Sequence, residues 1–317
     1  MHVDKTTRNL TIANLVAQIG IIMTGGAVRL TGSGLGCSQW PFCEPGSFTP
    51  EFHEELSIHP YIEFGNRTLT GVLTIIAVLL IVAVYKREPT ASRPEIKKLS
   101  WLPLIGIAIQ ALIGGITVWV DLHPAVVGSH MLISLGLVAI SAYLLWRIDH
   151  PDTKPVPLAS FTRPLTIAIG LSSAILVTLG VIVTGAGPHS GDEEAPYRWA
   201  MDTVAITRIH SLSAWLFTAI VLVGLFLIFR LERTNPGPDV RVAKKAWLGI
   251  LTVTLLNGVV GYVQHATNLP EILVGIHMLL AALVVMTVAW GASSLHPRPA
   301  TSPEGIAPST QPSETTV

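Results

Sequence analysis

Val126-Val127-Gly128-Ser129-His130-Met131-Leu132 and Leu273-Val274-Gly275-Ile276-His277-Met278-Leu279 are nearly the same segment, and each opens a long apolar stretch. Working outward from this pair, the chain reads as one unit used twice. Phe64-Gly65-Asn66-Arg67 matches Arg208-Ile209-His210-Ser211, and Ile113-Gly114-Gly115 matches Asn257-Gly258-Val259-Val260-Gly261. Thr24-Gly25-Gly26-Ala27 pairs with Thr184-Gly185-Ala186-Gly187. The offset is 147 residues from His130 to His277 and 144 from Asn66 to His210. A near-constant offset signals duplication of an ancestral unit.

Each unit holds four apolar runs long enough to cross a bilayer, near 10–28, 63–85, 100–119 and 125–146, then 164–184, 205–229, 246–264 and 271–292. Half of the 317 residues are hydrophobic and only 13% are charged, so a bilayer must solvate surface that water cannot. Four spans per unit is an even number, which makes the halves parallel. The expected fold is an all-α membrane protein of eight transmembrane helices, arranged as two pseudo-twofold-related four-helix bundles. Residues 1–150 form the first half and 151–295 the second. The Pro-, Ser- and Thr-rich stretch 296–317 reads as a disordered tail. Tyr197 to Val204 reads as a re-entry segment before the sixth span. A formal net charge of zero gives no basic field for nucleic acid.

Sixteen of the twenty Lys and Arg fall in the terminal segments and alternate loops: Lys5 and Arg8; Lys86 to Lys98; Arg147, Lys154 and Arg163; Arg230 to Lys245; and Arg298. Basic loops stay in the cytoplasm, which puts both termini inside and the loops 29–62 and 185–206 outside. The first span follows a polar start with no small-residue cleavage pattern, so it reads as retained. No Arg- and Ser-rich transit segment precedes it, which points to a bacterial plasma membrane.

Ionisable residues inside spans are costly and become functional candidates. His210 and His277 open the sixth and eighth spans at similar depth, so together they can supply both axial ligands of one heme iron. In the first half His130 matches His277, while the match of His210 is Asn66, a poor iron ligand. Asn66 has a plainer reading as a packing amide. Glu63 shares a helix face with Asn66 and Arg67; it reads either as an ion-pair partner of Arg67 or as a carboxylate that accepts protons beside the first-half site. Its counterpart in the second half is Thr207. Cys37 and Cys43 flank a turn-like Trp40-Pro41 in the first outward loop. There they can oxidise, as a structural staple or as a redox pair. His53, His59, His123, His189 and His265 lie in outer loops or at their edges and read as solvated.

The run Gly25-Gly26-Ala27-Val28-Arg29-Leu30-Thr31-Gly32-Ser33-Gly34-Leu35-Gly36-Cys37, with Trp40-Pro41 and Cys43, resembles the first-loop signature of bacterial heme A synthases. Ile62-Glu63-Phe64-Gly65-Asn66-Arg67 resembles that family's motif at the second span, and the contexts of His130, His210 and His277 are similar too. The resemblance spans almost all of the chain except the tail. It implies heme b held by His210 and His277 in the second half. It implies heme O as substrate in the first half, with His130 as ligand, Asn66 and Arg67 at that site, and Glu63 as an essential carboxylate. It implies a Cys37–Cys43 disulfide. The reaction implied is oxidation of the C8 methyl of heme O to a formyl group through successive hydroxylations. The synthase that supplies heme O and oxidase assembly factors are the implied partners, and glycine-rich lipid-facing surfaces allow a homo-oligomer. Many family members carry histidine where this chain has Asn66.

Two other classes fit less of the sequence. A b-type cytochrome relaying electrons between quinone and a partner would share the histidines, but it has no use for Glu63 beside an incompletely ligated site. A transporter of duplicated halves would place broken helices and polar residues at mid-membrane, whereas here the polar residues cluster near the outer ends of the spans.

Overall fold

The computed structural model describes residues 4–51, 58–151, 156, 158–189, 191–192, 195 and 197–295. His53, Lys154, Arg298 and the 296–317 tail lie outside them. Among the described residues are eight helices long and apolar enough to cross a membrane: α1 Lys5–Leu30, α2 His59–Lys86, α3 Pro94–Trp119, α4 Pro124–Asp149, α5 Thr162–Ala186, α6 Thr203–Thr234, α7 Pro238–Ala266 and α8 Glu271–Leu295. The chain is a multi-pass helical membrane protein. Each helix outruns the apolar core expected from sequence, because helical hydrogen bonding continues past the hydrocarbon into polar turns.

Local chemistry sets the helix starts. The Asp4 carboxylate accepts the Thr7 backbone N–H at 2.8 Å, and Asp202 accepts from Val204 and Ala205 at 2.9 and 3.2 Å. Proline stands in the first turn of α2, α3, α4 and α7, where its missing N–H costs nothing. The duplication is also visible in the backbone. Asp121 and Leu122 after α3, and Asn268 and Leu269 after α7, are consecutive residues with φ between 47° and 60°. A left-handed leucine costs roughly 1–2 kcal/mol. Leu122 is held there by burial: its side chain sits 2.7 Å from where a Cβ on Gly34 would be, and 3.2 Å from one on Gly191.

Helices α1 to α4 form a closed ring, with α1 against α2 and α4, and α3 against α2 and α4; α5 to α8 form another in the same order. The rings meet where α4 and α8 pack together, α1 packs on α8, and α4 on α5. Leu15, Ile22, Leu135, Val138, Ala142 and Ala282 fill this seam. Trp290 Nε1 crosses it to the Ala142 carbonyl at 3.0 Å. In the second half Trp247 is fully buried against Gly224 and Gly291 and donates to the Gly291 carbonyl at 3.1 Å. The outer faces are apolar, as in Ile75 and Leu212 at 62% and 68% exposure, which a lipid environment requires. Ion pairs Arg8–Asp149, Arg87–Asp4, Arg93–Glu95 and Lys244–Glu232 gather at the end opposite the α1–α2 loop.

The segment Tyr197 to Val204, expected to re-enter the membrane, is not a helix of its own. Residues 197–202 run as irregular backbone into α6. Trp199 anchors the segment: its backbone N–H donates to the Gly185 carbonyl at 3.2 Å, and its ring and Pro124 both lie against Gly185.

Candidate functional site

Near the end bearing the α1–α2 loop, each even-numbered helix sets a polar side chain against a glycine on the helix before it. A Cβ added at Gly180 on α5 would lie 3.1 Å from His210 Cε1 on α6. One added at Gly261 on α7 would lie 3.1 Å from His277 Cε1 on α8. The corresponding distances are 3.5 Å from Gly114 on α3 to His130 Cε1 on α4, and 3.9 Å from Gly25 on α1 to Asn66 Nδ2 on α2. Glycine lets each side chain lie against a bare backbone. The sequence pairing of α1 with α5 therefore needs correcting: Gly25 corresponds to Gly180, not to Gly185, which instead seats Trp199. Repeated small residues near helix ends are ambiguous in sequence because several registers align equally well.

His210 and His277 face each other across the diagonal of their ring, with centroids 6.4 Å apart and planes inclined by 77°. Metal–imidazole bonds of about 2 Å put two axial rings about 6 Å apart, centre to centre. The Nδ1 atoms of His130, His210 and His277 are all buried without a hydrogen-bond partner, as are Asn257 Oδ1 and Gln110 Oε1, which lie one turn before Gly261 and Gly114. Buried polar atoms normally have partners. In the second half, the paired rings at metal-bridging separation fit an iron held between His210 and His277.

The first half differs. Thr24 Oγ1 donates to Asn66 Oδ1 at 2.7 Å, which ties the amide oxygen to α1. On α4 the His130 carbonyl accepts from Gln110 Nε2 at 2.9 Å and from Ser134 Oγ at 3.0 Å, which secures the helix that carries the imidazole.

Above this half sits the cysteine loop. Cys37 and Cys43 are joined in a disulfide and fully buried. Glu63 is 6% exposed; Oε2 accepts the Cys37 backbone N–H at 2.7 Å, while Oε1 accepts Arg67 Nε at 3.1 Å and also Nη2. Arg67 Nη1 reaches on to the Gln39 and Phe42 carbonyls at 2.9 and 3.1 Å. Trp40, inside the loop, lies on Gly115, the neighbour of Gly114, and meets Trp119 edge-on at 5.6 Å. The Glu63–Arg67 pair thus clamps the loop to α2, while Trp40 seats it on α3 beside His130. Both Glu63 oxygens are engaged, one by the Cys37 N–H and the other by the Arg67 guanidinium.

Several residues that carry this arrangement had only faint sequence signals. Thr24, Gln110, Trp40 and the four facing glycines act through contacts between distant segments. Nor are all the loop histidines solvated. His189 Nε2 lies 3.0 Å from the Leu269 carbonyl, His59 Nδ1 lies 2.8 Å from Ser33 Oγ, and His123 caps α4 and packs on Tyr197; His265 is exposed as expected. Arg29 donates to the His189 and Thr184 carbonyls at 2.8 and 3.0 Å and so joins the halves at the loop end.

Fold and site together define a polytopic helical membrane protein whose two four-helix rings carry matching but unequal polar positions. Residues 8–215 match the model of the family described as cytochrome oxidase assembly protein (COX15-CtaA), and the chain belongs to that family. It is 24% identical over 283 residues to the heme A synthase of Lysinibacillus sphaericus (strain C3-41), covering 86% of this chain and 90% of that one. It is 26% identical to the heme A synthase of Bacillus cereus (strain G9842), over 85% of this chain and 87% of the other. With the heme A synthase of Bacillus pumilus (strain SAFR-032) identity rises to 33% over 184 residues, 56% of this chain and 57% of its relative.

Proposed function

We propose that this protein is a heme A synthase, an oxidoreductase that converts the C8 methyl group of membrane-bound heme O to a formyl group. Family membership and heme A synthase relatives along most of the chain support the reaction. The observation that carries the division of labour is the His210–His277 pair, set at metal-bridging separation, beside a His130–Asn66 pair whose amide oxygen is already bonded. In this reading residues 151–295 hold heme b through His210 and His277, and residues 1–150 receive heme O. The helix packing supports a pseudo-twofold relation, because exchanging the halves turns the α1–α8 contact into the α5–α4 contact and maps α4–α8 onto itself.

Heme b bound between the two imidazoles supplies one-electron redox chemistry beside the substrate. The chain's own residues do the rest. His130 ligates the substrate iron from α4. Asn66 is held by Thr24 and leaves the opposite face without a strong protein ligand. Glu63 and Arg67 hold the disulfide loop closed over the site, and Trp40 walls it against water. Two hydroxylations of the substrate methyl, each a two-electron oxidation that draws its oxygen atom from dioxygen or water and its redox partner from outside the chain, give a geminal diol, which loses water to leave the aldehyde. The farnesyl tail of heme O remains in the bilayer, which a substrate site among spanning helices allows.

The distribution of Lys and Arg supports cytoplasmic termini in a bacterial plasma membrane, with the disulfide loop outside, where thiols oxidise. The heme O synthase and oxidase assembly factors are the partners this chemistry implies. The test is expression in a host that makes heme O but no heme A, followed by extraction and mass analysis of its non-covalent hemes. Heme A or its hydroxylated precursor appearing only with the protein is the expected result. Heme b alone, with heme O untouched although the host's electron donors are present, would overturn it.

A further inference from the structure

The face of α1 that ends at Gly25 is polar through the interior of the first half. Thr7, Thr11, Asn14 and Gln18 stand four, three and four residues apart, and Gly25 follows seven later, so all five share one face. The four polar residues are between 0 and 2% exposed. On α4 the facing stripe carries His130, Ser134 and Ser141. Asn14 Nδ2 donates to Ser141 Oγ at 2.9 Å, which ties the two stripes together. Towards the chain start Thr11 Oγ1 donates to the Thr7 carbonyl at 2.8 Å, and Thr7 Oγ1 to the Asp4 carboxylate at 3.0 Å, where Asp4 also meets Arg87. Towards the other end Gln110 Nε2 donates to Ser134 Oγ, one turn from His130.

Two amide ends inside this column are left over. Gln18 Nε2 is a buried donor without a partner, and Gln110 Oε1 is a buried acceptor without one. Gln18 lies two turns from Gly25, and Gln110 one turn from Gly114, the glycines that seat Asn66 and His130. The two amides therefore differ in depth by one turn, ~5 Å. An orphan donor and an orphan acceptor in a polar column are what ordered water satisfies.

The duplication supplies the control. Counted back from Gly180, the places of Asn14 and Gln18 in α5 are held by Ile169 and Ser173; counted on from His277, the places of Ser134 and Ser141 in α8 are held by Ala281 and Val288. Ile169 and Val288 belong to one apolar core cluster. The same helix contact thus closes with aliphatic side chains, so packing of α1 on α4 does not itself require an amide and a hydroxyl. Asn257 and Ser173 keep the upper positions of the second half polar, but the stripe stops at Ile169 and Val288.

We propose that the first half holds a water-filled path that moves protons between the His130 site and the end of the bundle at Asp4. From Thr7 to Gln18 the stripe offers hydroxyls and amides and no charge, which suits water and not an ion. A proton taken up by water at one end is matched by one released at the other, so no side chain along the path changes charge. The proton role rests on the proposed function. Each hydroxylation of a methyl releases two protons with two electrons when water supplies the oxygen, and takes up two of each when dioxygen does. The hydration stands without that reading.

The test uses the full chain, purified with its heme, in phospholipid nanodiscs. Radiolytic hydroxylation marks buried side chains that lie beside bound water, and mass spectrometry maps them. Leu137, buried on α4 between Ser134 and Ser141, should be labelled at least about fivefold more than its buried counterpart Val284 on α8. The Asn14→Ile/Ser141→Val double variant copies the second half and should bring Leu137 down to the level of Val284, with heme b content unchanged. In the same variant heme O conversion should fall about fivefold or more and its solvent deuterium isotope effect should rise, which a loss of packing would not cause. Gln18→Leu leaves the Asn14–Ser141 bond in place and should act the same way. Equal labelling of Leu137 and Val284 in the parent protein, or loss of heme b from both variants, would overturn the path. Labelling abolished with conversion and isotope effect unchanged would overturn the proton role. Label at Leu137 in a parent protein that leaves heme O unconverted would keep the hydrated column and sink the proposed function.

Discussion

The two halves share helix order, facing glycines and paired left-handed links, yet they treat the same four positions differently. In the second half two imidazoles face each other, both pressed against backbone at distances where a methyl group would not fit without movement. In the first half one imidazole and one amide stand at the matching places, each with ordinary van der Waals room at its glycine, and the amide is bonded to Thr24. The first half carries the buried Glu63–Arg67 ion pair and a disulfide loop closing its end. A tight, symmetrical clamp suits a group that stays. A looser, one-sided site under a fastened loop suits one that enters, reacts and leaves.

The comparison breaks most readily at the rings. His277→Ala is expected to lower copurifying heme b at least about tenfold, read by pyridine hemochrome, because a single axial imidazole holds the iron weakly. His130→Ala should retain that heme and lose heme O conversion. Equal heme loss in both variants would mean the halves do not divide the work.

Next in size is the clamp on the loop. Glu63→Ala leaves Arg67 without its carboxylate partner, which costs about 3 kcal/mol for a largely buried pair, and should lower Tm and speed hydrogen exchange at residues 37–43. Thr207→Val, at the corresponding place in α6, should change neither. An unaltered exchange rate in Glu63→Ala would separate the pair from the loop.

A smaller effect is expected at the glycines. Gly180→Ala or Gly261→Ala should shift the low-spin electron paramagnetic resonance of the bound heme, since an added Cβ would lie 3.1 Å from a ring carbon. Gly114→Ala, with 3.5 Å available, should leave the protein's spectra as they are. Similar shifts from all three would erase the distinction between tight and loose sites.

Asn66→His tests the asymmetry from the other side. A second imidazole should convert the substrate heme to a six-coordinate low-spin form and slow turnover; if spectra and turnover both match the parent protein, the amide is only packing. Smallest is Thr24→Val, which frees the Asn66 oxygen at a cost of about 1 kcal/mol and should alter substrate-heme spectra without affecting heme b.

Much of this was legible before any coordinates. The number of spans follows from runs of apolar residues, because a bilayer demands about twenty of them per helix whatever the tertiary arrangement. His130, His210 and His277 were marked by recurrence, and Cys37 and Cys43 by being the only cysteines. The Glu63–Arg67 pair was written in its four-residue spacing on one helix. Less visible were the groups that Arg67 reaches beyond Glu63, since the Gln39 and Phe42 carbonyls belong to backbone whose path no periodicity encodes. The α1–α5 register was misread for a related reason. Glycines carry no side chain to distinguish one alignment from another, and only the side chain seated on each reveals its role.

The sequence by itself determined a duplicated eight-span membrane chain, its uneven charge and the inequality between His210 and Asn66. These depend on solvent and residue identity, which act locally along the chain. Only the tertiary structure decided that His210 meets His277 across a diagonal, that Thr24 takes the Asn66 oxygen, and that Trp40 rests on Gly115. Those contacts join helices far apart in the chain, and their distances are set by how whole helices pack, with glycine fixing how closely they can approach.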